Sequence, residues 1–310
     1  MKIAIIGSGG VGGYFGGKLA KAGNEVIFVA RGNHLKAMQQ KGLIVKSLNG
    51  DFSVDKVIAT EDLGKISGAD LIIIGVKAWQ LKEVANNIKP WVGRDTIILP
   101  LQNGVTAVDE LRDVLSQGHV INGLCRIFSK IEAPGIINHF GVDPVIIFGE
   151  TDNSKSPRIE KILNIFDQSD IKGVVPENIQ SELWKKFITI CVSGLLAVTK
   201  TTYGQLRELH ETRLMMIELF EEGFALSQKL NIPIKPDFVS KTVAFIDTFP
   251  YETTSSLTRD VLEGKPSEIE YQNGTVVRLG NQLGVETPVN RFVYACILPM
   301  EMKARGLMPA

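Results

Sequence analysis

A glycine-rich segment near the start of the chain, Gly7-Ser8-Gly9-Gly10-Val11-Gly12, has the residue types and spacing that bind phosphate groups. Gly7 permits a tight turn, Gly9 lets a pyrophosphate approach the backbone, and Gly12 lets the following helix pack closely on the preceding strand. The phosphates would contact the unpaired N–H groups at the positive end of that helix. Because an apolar run precedes the segment and a helical pattern follows it, we predict a dinucleotide-binding turn built from these residues.

Polar side chains follow three later apolar runs that are expected to be strands of the same sheet. Arg31 stands where an acidic residue would hold the ribose of NAD, and an arginine there suits the additional 2′-phosphate of NADP. Lys77 either contacts phosphate or ribose or is a solvated lysine at a strand end. Asn103 either belongs to a simple Asn-Gly turn or offers its amide to a nicotinamide or a substrate carboxylate. His34 is expected to be a solvent-exposed histidine at the start of a short helix of residues 34–41; alternatively, it belongs to a loop that wraps the adenine side of the cofactor.

A pair of lysines in the second half of the chain could carry proton chemistry. Lys185 and Lys186 lead into an apolar helical run, and Lys186 lies on the same face as Ile190, one turn further on. Alternatively, such a lysine has no catalytic role. Lysines are common at the ends of buried helix faces, because the long stem packs against apolar residues while the ammonium reaches water. The pattern alone does not choose between the two lysines.

Two further stretches offer hydroxyl and carboxyl groups. Ser256 ends the cluster Thr253-Thr254-Ser255-Ser256, whose hydroxyls either cap a helix or bind a ligand. Ser267 and Glu270 have the spacing of a capping box, which assigns Glu270 to a helix start and leaves Glu268 to face a cleft.

The elements that must position these residues form two regions. Strands alternate with helices in the first, which predicts a parallel sheet covered on both faces, and helical patterns dominate from residue 177 onward. We therefore predict an α/β fold with an N-terminal Rossmann-type, doubly wound parallel sheet in a domain of residues 1–176, followed by an all-helical C-terminal domain of residues 177–310. The predicted strands are 2–6, 25–30, 71–76, 96–99, 120–125 and 171–175, with hairpins at 42–45/52–57 and 135–140/145–148; the predicted later helices are 182–198, 211–229, 236–246, 267–283 and 290–305.

The composition favours a protein that acts on a small molecule. Lys plus Arg number 34 and Asp plus Glu number 34, so overall charge does not indicate nucleic acid or an anionic membrane as a partner. The three cysteines are widely separated, which predicts buried free thiols and neither a disulfide framework nor a metal site. No signal peptide and no apolar run of the ~20 residues needed for a membrane helix is expected, which predicts a cytoplasmic location. A homodimer is left open.

Seven segments, in this order, resemble the ketopantoate reductase family: GSGGVGGYFGGKLAKAG, VARG, GVKAWQ, LQNGV, ELWKKF, TSSLTRD and EIEYQNG. The resemblance extends from Met1 to about Arg305. It implies an NADPH-dependent reductase of 2-dehydropantoate (ketopantoate) in pantothenate biosynthesis, with a Rossmann-type domain, a helical domain and substrate in the cleft between them.

The resemblance also implies roles for individual residues. Lys186 matches the catalytic lysine of the family's W-x-K segment, which selects it over Lys185. Asn103 matches the asparagine near nicotinamide and substrate, Ser256 a substrate-binding serine, and Glu268 a glutamate that binds substrate and supports activity. Arg31 and Lys77 match basic residues that contact the NADP side.

The chain departs from the family pattern beside Lys186. Family members commonly carry asparagines one turn after the lysine and about one turn further, where this chain has Ile190 and Gly194, and a later polar position is Tyr203. An apolar Ile190 cannot replace the hydrogen bonds of an amide, and Gly194 is expected to widen the pocket. Reduction of a different 2-oxo acid is therefore the alternative, and a non-catalytic NADPH-binding sensor is a second one.

Overall fold

The computed structural model describes residues 1–309. Its contacts divide the chain into a first unit, Met1–Gln102 with Thr106–Ile179, and a second unit, Asn103–Val105 with Gln180–Ala310. The predicted domain boundary after residue 176 lies close to this division. It stays a prediction, because compactness does not test whether each part folds alone.

The first unit contains all ten strands that the described residues form, together with five helices. The strands are β1 (Lys2–Ile6), β2 (Glu25–Val29), β3 (Leu43–Ser47), β4 (Phe52–Val54), β5 (Ile58–Thr60), β6 (Leu71–Ile74), β7 (Ile97–Pro100), β8 (Asn122–Ala133), β9 (Ile136–Gly149) and β10 (Lys172–Val174). The helices are α1 (Gly10–Lys21), α2 (Gly32–Lys41), α3 (Leu81–Ile88), α4 (Ala107–Arg112) and α5 (Pro157–Gln168).

The first sheet is entirely parallel, with strand order β5-β2-β1-β6-β7. Successive side chains of a strand point to opposite faces, so Ile3 and Ile5 of β1 enter one hydrophobic cluster while Ala4 and Ile6 enter another. Apolar residues therefore cover the sheet on both sides, which confirms the predicted Rossmann-type, doubly wound fold.

The second sheet has the strand order β10-β9-β3-β4, with β8 paired to β9, and it corrects two predictions for residues 120–148. We predicted a further parallel strand at 120–125. Val120 does form a parallel bridge with Ile98 of β7, but β8 itself runs on from Asn122 to Ala133 and pairs antiparallel with β9. The predicted hairpin between 140 and 145 is also wrong, because β9 is continuous through this segment and the register shifts between Arg126 and Phe128. The actual turn contains Gly135, at φ +78°. The predicted hairpin of β3 and β4 is present and antiparallel.

Helix α1 packs against both sheets through its glycines. A Cβ at Gly16 would lie 2.6 Å from Phe28 of the first sheet, and a Cβ at Gly13 would lie 2.7 Å from Ile137 of the second. Side chains at these positions would separate the layers, so the glycine-rich start of the helix is required for packing as well as for the turn before it.

The second unit is helical, as predicted, with a core of its own. Its helices are α6 (Ile179–Ile190), α7 (Val192–Thr199), α8 (Tyr203–Glu208), α9 (His210–Lys229), α10 (Phe238–Asp247), α11 (Ser256–Leu262), α12 (Asn273–Leu283) and α13 (Pro288–Ala304). The single predicted helix 182–198 is two helices that meet at Cys191, whose carbonyl accepts a hydrogen bond of 3.0 Å from Asn273. A side chain inserted into the helical hydrogen-bond ladder is a common cause of such a break.

No helix formed by residues 1–309 is both long and apolar enough to cross a membrane.

Candidate active site

The glycine-rich turn has the geometry that its spacing predicts. Gly7 has φ +92°, and a Cβ on it would lie 2.6 Å from Val76 Cγ1. A Cβ on Gly12 would lie 2.2 Å from the Gly7 carbonyl oxygen, so only glycine allows α1 to begin this close to the turn. A Cβ on Gly9 would meet nothing within 4 Å. The turn is therefore closed by protein at Gly7 and Gly12 and open at Gly9.

The remaining residues of the turn are held by the surrounding strands. Ser8 is buried, and its hydroxyl donates a hydrogen bond of 3.1 Å to the Val29 carbonyl at the end of β2. Gly10 begins α1 against the backbone of β8, where a Cβ would lie 2.5 Å from the Ser129 carbonyl oxygen. Val11 is partly buried in the first turn of α1. Their contact with a cofactor stays a prediction.

His34 is not solvent-exposed, contrary to our prediction, although it lies in the short helix predicted for residues 34–41. Helix α2 begins at Gly32, so His34 lies in its first turn, and the imidazole is half-buried. The Gly135 N–H donates to Nδ1 at 3.1 Å, which places the proton of the neutral ring on Nε2. Nε2 lies 2.9 Å from the Ser8 carbonyl oxygen and donates to it. Burial lowers the pKa of His34, and the bond to Ser8 partly opposes that shift.

Arg31 and Lys77 follow the two strands that flank β1. Arg31 is the residue before α2, it is exposed, and it forms no ion pair with any residue in 1–309. Lys77 precedes a 3₁₀ turn and is partly buried, and its backbone N–H donates to Gln80 Oε1 at 3.3 Å. Since β2, β1 and β6 are adjacent and parallel, Arg31, the glycine turn and Lys77 follow neighbouring strands at the same edge of the sheet.

Gln102 is a structural residue that our sequence reasoning missed. It is buried, and its Nε2 donates to the carbonyls of Ile74 and Val76, each at 3.0 Å. The side chain therefore fixes the end of β6 against the end of β7. The only feature of the sequence that could have indicated this role is the position of Gln102 directly before the Asn103-Gly104 turn.

Asn103 and Glu268, two of the predicted site residues, are brought together in the second unit. Asn103 Nδ2 donates to Glu268 Oε2 at 3.0 Å, although 165 positions separate them. Glu268 is only 4% exposed, so its carboxylate depends on protein donors. Gly104, at φ +105°, brings the chain next to the Tyr271 carbonyl, which a Cβ at position 104 would approach to 2.9 Å.

The structure gives the two lysines of α6 different surroundings. Lys185 forms an ion pair with Glu182 at a distance of 2.8 Å. Lys186 is partly buried. Its neighbours in the sequence, Trp184 and Phe187, lie in the core of the second unit. The choice of Lys186 over Lys185 as the reactive lysine stays a prediction.

Ser256 is the first residue of α11, but the residue that caps this helix is Ser255. The Ser255 hydroxyl accepts a hydrogen bond of 3.0 Å from the Thr258 N–H. Ser256 is exposed, and within residues 1–309 its hydroxyl has no hydrogen-bond partner. Its hydroxyl is therefore available to a ligand.

The predicted capping box of Ser267 and Glu270 is absent from the described structure. Ser267 instead donates through its hydroxyl to the buried Glu301 at 2.6 Å. Glu270 forms an ion pair with Arg278 and accepts a hydrogen bond from the Tyr294 hydroxyl. Glu270 does have a structural role, but it ties α12 and α13 to the preceding turn.

Gly194 has no free space beside it. Ile190 is partly exposed at the end of α6. A Cβ on Gly194 would lie 2.4 Å from Asn273 Oδ1 and 2.6 Å from Val293 Cγ1, so the expected widening is wrong: neighbouring side chains fill the space. Tyr203 is buried, its hydroxyl contacts Ser193, and burial raises its pKa.

Comparisons with known proteins cover almost the whole chain. A family model described as ketopantoate reductase PanE/ApbA matches residues 3–153, and its C-terminal counterpart matches residues 178–301. A 2-dehydropantoate 2-reductase from Pyrococcus abyssi is 30% identical over 96% of this chain and 97% of that protein.

Two solved structures extend the comparison. A PanE/ApbA family ketopantoate reductase from Ralstonia eutropha is 32% identical with a TM-score of 0.90, and the match covers 98% of this chain and 100% of that one. A D-mandelate dehydrogenase solved with NADH and anilino(oxo)acetate has a TM-score of 0.89 over 98% of this chain and 100% of that one. At 22% identity, this second likeness shows a shared fold alone.

Proposed function

The chain belongs to the ketopantoate reductase family, and from this premise we propose that it reduces ketopantoate to pantoate with NADPH, a step of pantothenate biosynthesis. It is an oxidoreductase, and its family uses NAD(P)H to reduce 2-oxo acids. The observation that carries the proposal is the hydrogen bond of 3.0 Å between Asn103 and the buried Glu268, in the unit that also contains Lys186.

The residues of the first unit fit a dinucleotide. The turn leaves open space at Gly9, directly before the first N–H groups of α1, which attract anions. Arg31 follows β2 with an exposed guanidinium and supports a preference for the 2′-phosphate of NADPH over NADH.

The proposed mechanism assigns proton and charge chemistry to side chains of the second unit. Bound NADPH supplies a hydride to the C2 carbonyl carbon of the substrate. Lys186 stabilises the negative charge that develops on the carbonyl oxygen and donates the proton that completes the alcohol. Asn103 orients the reacting face, Ser256 donates to the substrate carboxylate, and Glu268 accepts a hydrogen bond from a substrate hydroxyl or from Lys186.

A second candidate, reduction of a 2-oxo acid without the hydroxyl group of ketopantoate, is favoured by Ile190. This residue is partly exposed one helical turn after Lys186, and its side chain cannot bond to a substrate hydroxyl. A site that lacks such a partner loses much of its preference for the hydroxylated substrate.

Steady-state oxidation of NADPH, followed by absorbance, tests the two candidates. We expect ketopantoate to give a higher kcat/KM than 2-oxo acids of similar size that lack its hydroxyl. The reverse order would support the second candidate, and Ile190→Asn should then shift the ratio toward ketopantoate by about 5- to 150-fold, or roughly 1–3 kcal/mol. Binding of NADPH without turnover of any 2-oxo acid would indicate a sensor and contradict both candidates.

A further inference from the structure

We propose that His34 is a positioning residue for cofactor binding: it fixes the Ser8–Gly9 peptide so that the Gly9 N–H donates to the pyrophosphate of the dinucleotide. This inference rests on the proposed cofactor site. His34 would touch neither the reacting atoms nor the substrate, and it would act only through the orientation of one peptide plane.

The argument begins with the planarity of the peptide bond. The Ser8 carbonyl and the Gly9 N–H belong to the same trans peptide, so they point in opposite directions. His34 Nε2 holds the carbonyl oxygen at 2.9 Å, and the Gly9 N–H is therefore directed away from the imidazole. Within residues 1–309, no acceptor receives this N–H.

The space at Gly9 is suited to a ligand oxygen. Gly9 is the residue before α1, and a Cβ there would meet no atom within 4 Å. An unpaired N–H at the start of a helix, beside open space, is the arrangement that binds phosphate.

The imidazole is itself held from its other side. The Gly135 N–H, in the turn between β8 and β9, donates to Nδ1 at 3.1 Å, and the Gly135 carbonyl accepts from the Ile44 N–H of β3 at 2.9 Å. These bonds tie the ring to the second sheet and keep the proton on Nε2. Burial also lowers the pKa of His34, which favours this neutral tautomer at pH 7.

Without His34, the Ser8 carbonyl would lose the hydrogen bond that sets the peptide plane, although the residues on both sides stay anchored: the Gly9 carbonyl accepts from the Gly13 N–H at 2.7 Å. The Ser8 hydroxyl and the Gly7 N–H both bond to the Val29 carbonyl, so they hold the residues before the peptide. Gly9 has no side chain and few steric limits on its backbone, which lets the peptide plane rotate once its carbonyl is released.

Two variants separate the two nitrogen atoms of the ring. His34→Gln places an amide N–H near the position of Nε2 and can still donate to Ser8. His34→Asn is shorter and can still accept from Gly135, but it does not reach Ser8. Gln40→Ala, an exposed change on the same helix, is the matched control.

The readouts are the Kd of NADPH, measured by direct binding without substrate, and kcat and KM. We expect His34→Asn to raise the Kd and the KM for NADPH by about 3- to 10-fold, as loss of a hydrogen bond does, with kcat unchanged. His34→Gln and Gln40→Ala should stay within about twofold of the parent protein, and the melting temperature without cofactor checks folding.

Each outcome separates this inference from the proposed function. Equal affinities in all variants, or equal losses in His34→Gln and His34→Asn, would overturn the positioning role while leaving the reductase proposal intact. A parent protein that does not bind NADPH would instead refute the proposed function on which the inference rests.

Discussion

The two units present different kinds of chemical group to their proposed ligands. In the first unit the candidate pyrophosphate-binding groups are backbone N–H groups, whose positions depend on Gly7, Gly9 and Gly12. In the second unit the candidate groups are the ends of long side chains, such as Lys186 and Glu268. Backbone groups are set by local spacing, whereas side-chain groups depend on partners that are distant in sequence. Substitutions should therefore change cofactor affinity in the first unit and the catalytic rate in the second.

The largest expected effect is on Lys186. Lys186→Ala should lower kcat by about 10²–10⁴-fold, because it removes the proposed proton donor. Steady-state kinetics with the best substrate measures this. Lys185→Ala is the control, since that lysine pairs with Glu182, and it should leave kcat nearly unchanged. Similar activities in the two variants would contradict the assignment.

A smaller but clear effect is expected at Asn103. Asn103→Ala leaves the buried Glu268 carboxylate without this donor, a loss of about 1–3 kcal/mol, so kcat/KM should fall by about 5- to 150-fold. The control comes from the first unit, where Asn138 donates to an exposed Glu132 at 2.8 Å. Asn138→Ala should change neither kinetics nor stability noticeably, and an equal effect of both changes would remove the distinction between the units.

At Arg31 the expected change is in cofactor affinity alone. Arg31→Ala should weaken NADPH binding by about 1.5–3 kcal/mol, the contribution of a charge-assisted hydrogen bond, and leave NADH binding nearly unchanged. Titration of both cofactors measures this, with the exposed Lys36→Ala as control. A parent protein that binds NADPH and NADH equally would refute the NADP preference.

The smallest expected effect concerns stability in acid. Arg158 donates to both oxygens of the buried Glu150 and holds the pKa of Glu150 below its ordinary value of 4.5. A lowered folded-state pKa stabilises the protein above the unfolded-state pKa, and this contribution is lost as the pH falls through the folded value. Arg158→Gln should therefore lower the melting temperature at pH 7, and the difference from the parent should shrink below about pH 4.

A matched pair in the second unit serves as control for that measurement. Arg213 also contacts both oxygens of a carboxylate, Asp247, but the Asp247 side chain is 38% exposed. Arg213→Gln should shift the melting temperature less, because solvent screens exposed ion pairs. An equal shift in both variants would show that burial does not distinguish the two pairs.

Local sequence was sufficient for the first strand and the glycine turn. β1 has the bounds that its apolar run predicts, and Gly7 and Gly12 have the turn and packing geometry expected of the motif. The sequence was not sufficient to predict hydrogen bonds between side chains and partners that are distant in the chain. His34 is oriented by an N–H 101 positions away, and Glu270 bonds to Arg278 and Tyr294 rather than to the helix start.

In the candidate site, too, the residues could be predicted from the sequence, whereas the contacts between them could not. The resemblance to a known family predicted that Asn103 and Glu268 belong to the site, but their hydrogen bond was visible only in the folded chain. The long strand β9 was missed because the segment after Gly141 has turn-forming residues, which predict a turn. In the structure this segment stays within β9, and its pairing with β8 only shifts in register there.

The packing at Gly194 has an evolutionary consequence. Asn273 occupies the space that a side chain at position 194 would need, and its amide also bonds to the Cys191 carbonyl and to Asn290. A side chain at 194 would collide with Asn273 and Val293, so an asparagine there requires these buried neighbours to shift or change. Change at position 194 is therefore constrained by its buried neighbours, whereas Ile190 is partly exposed and, under the proposed function, is the position where the substrate range can change.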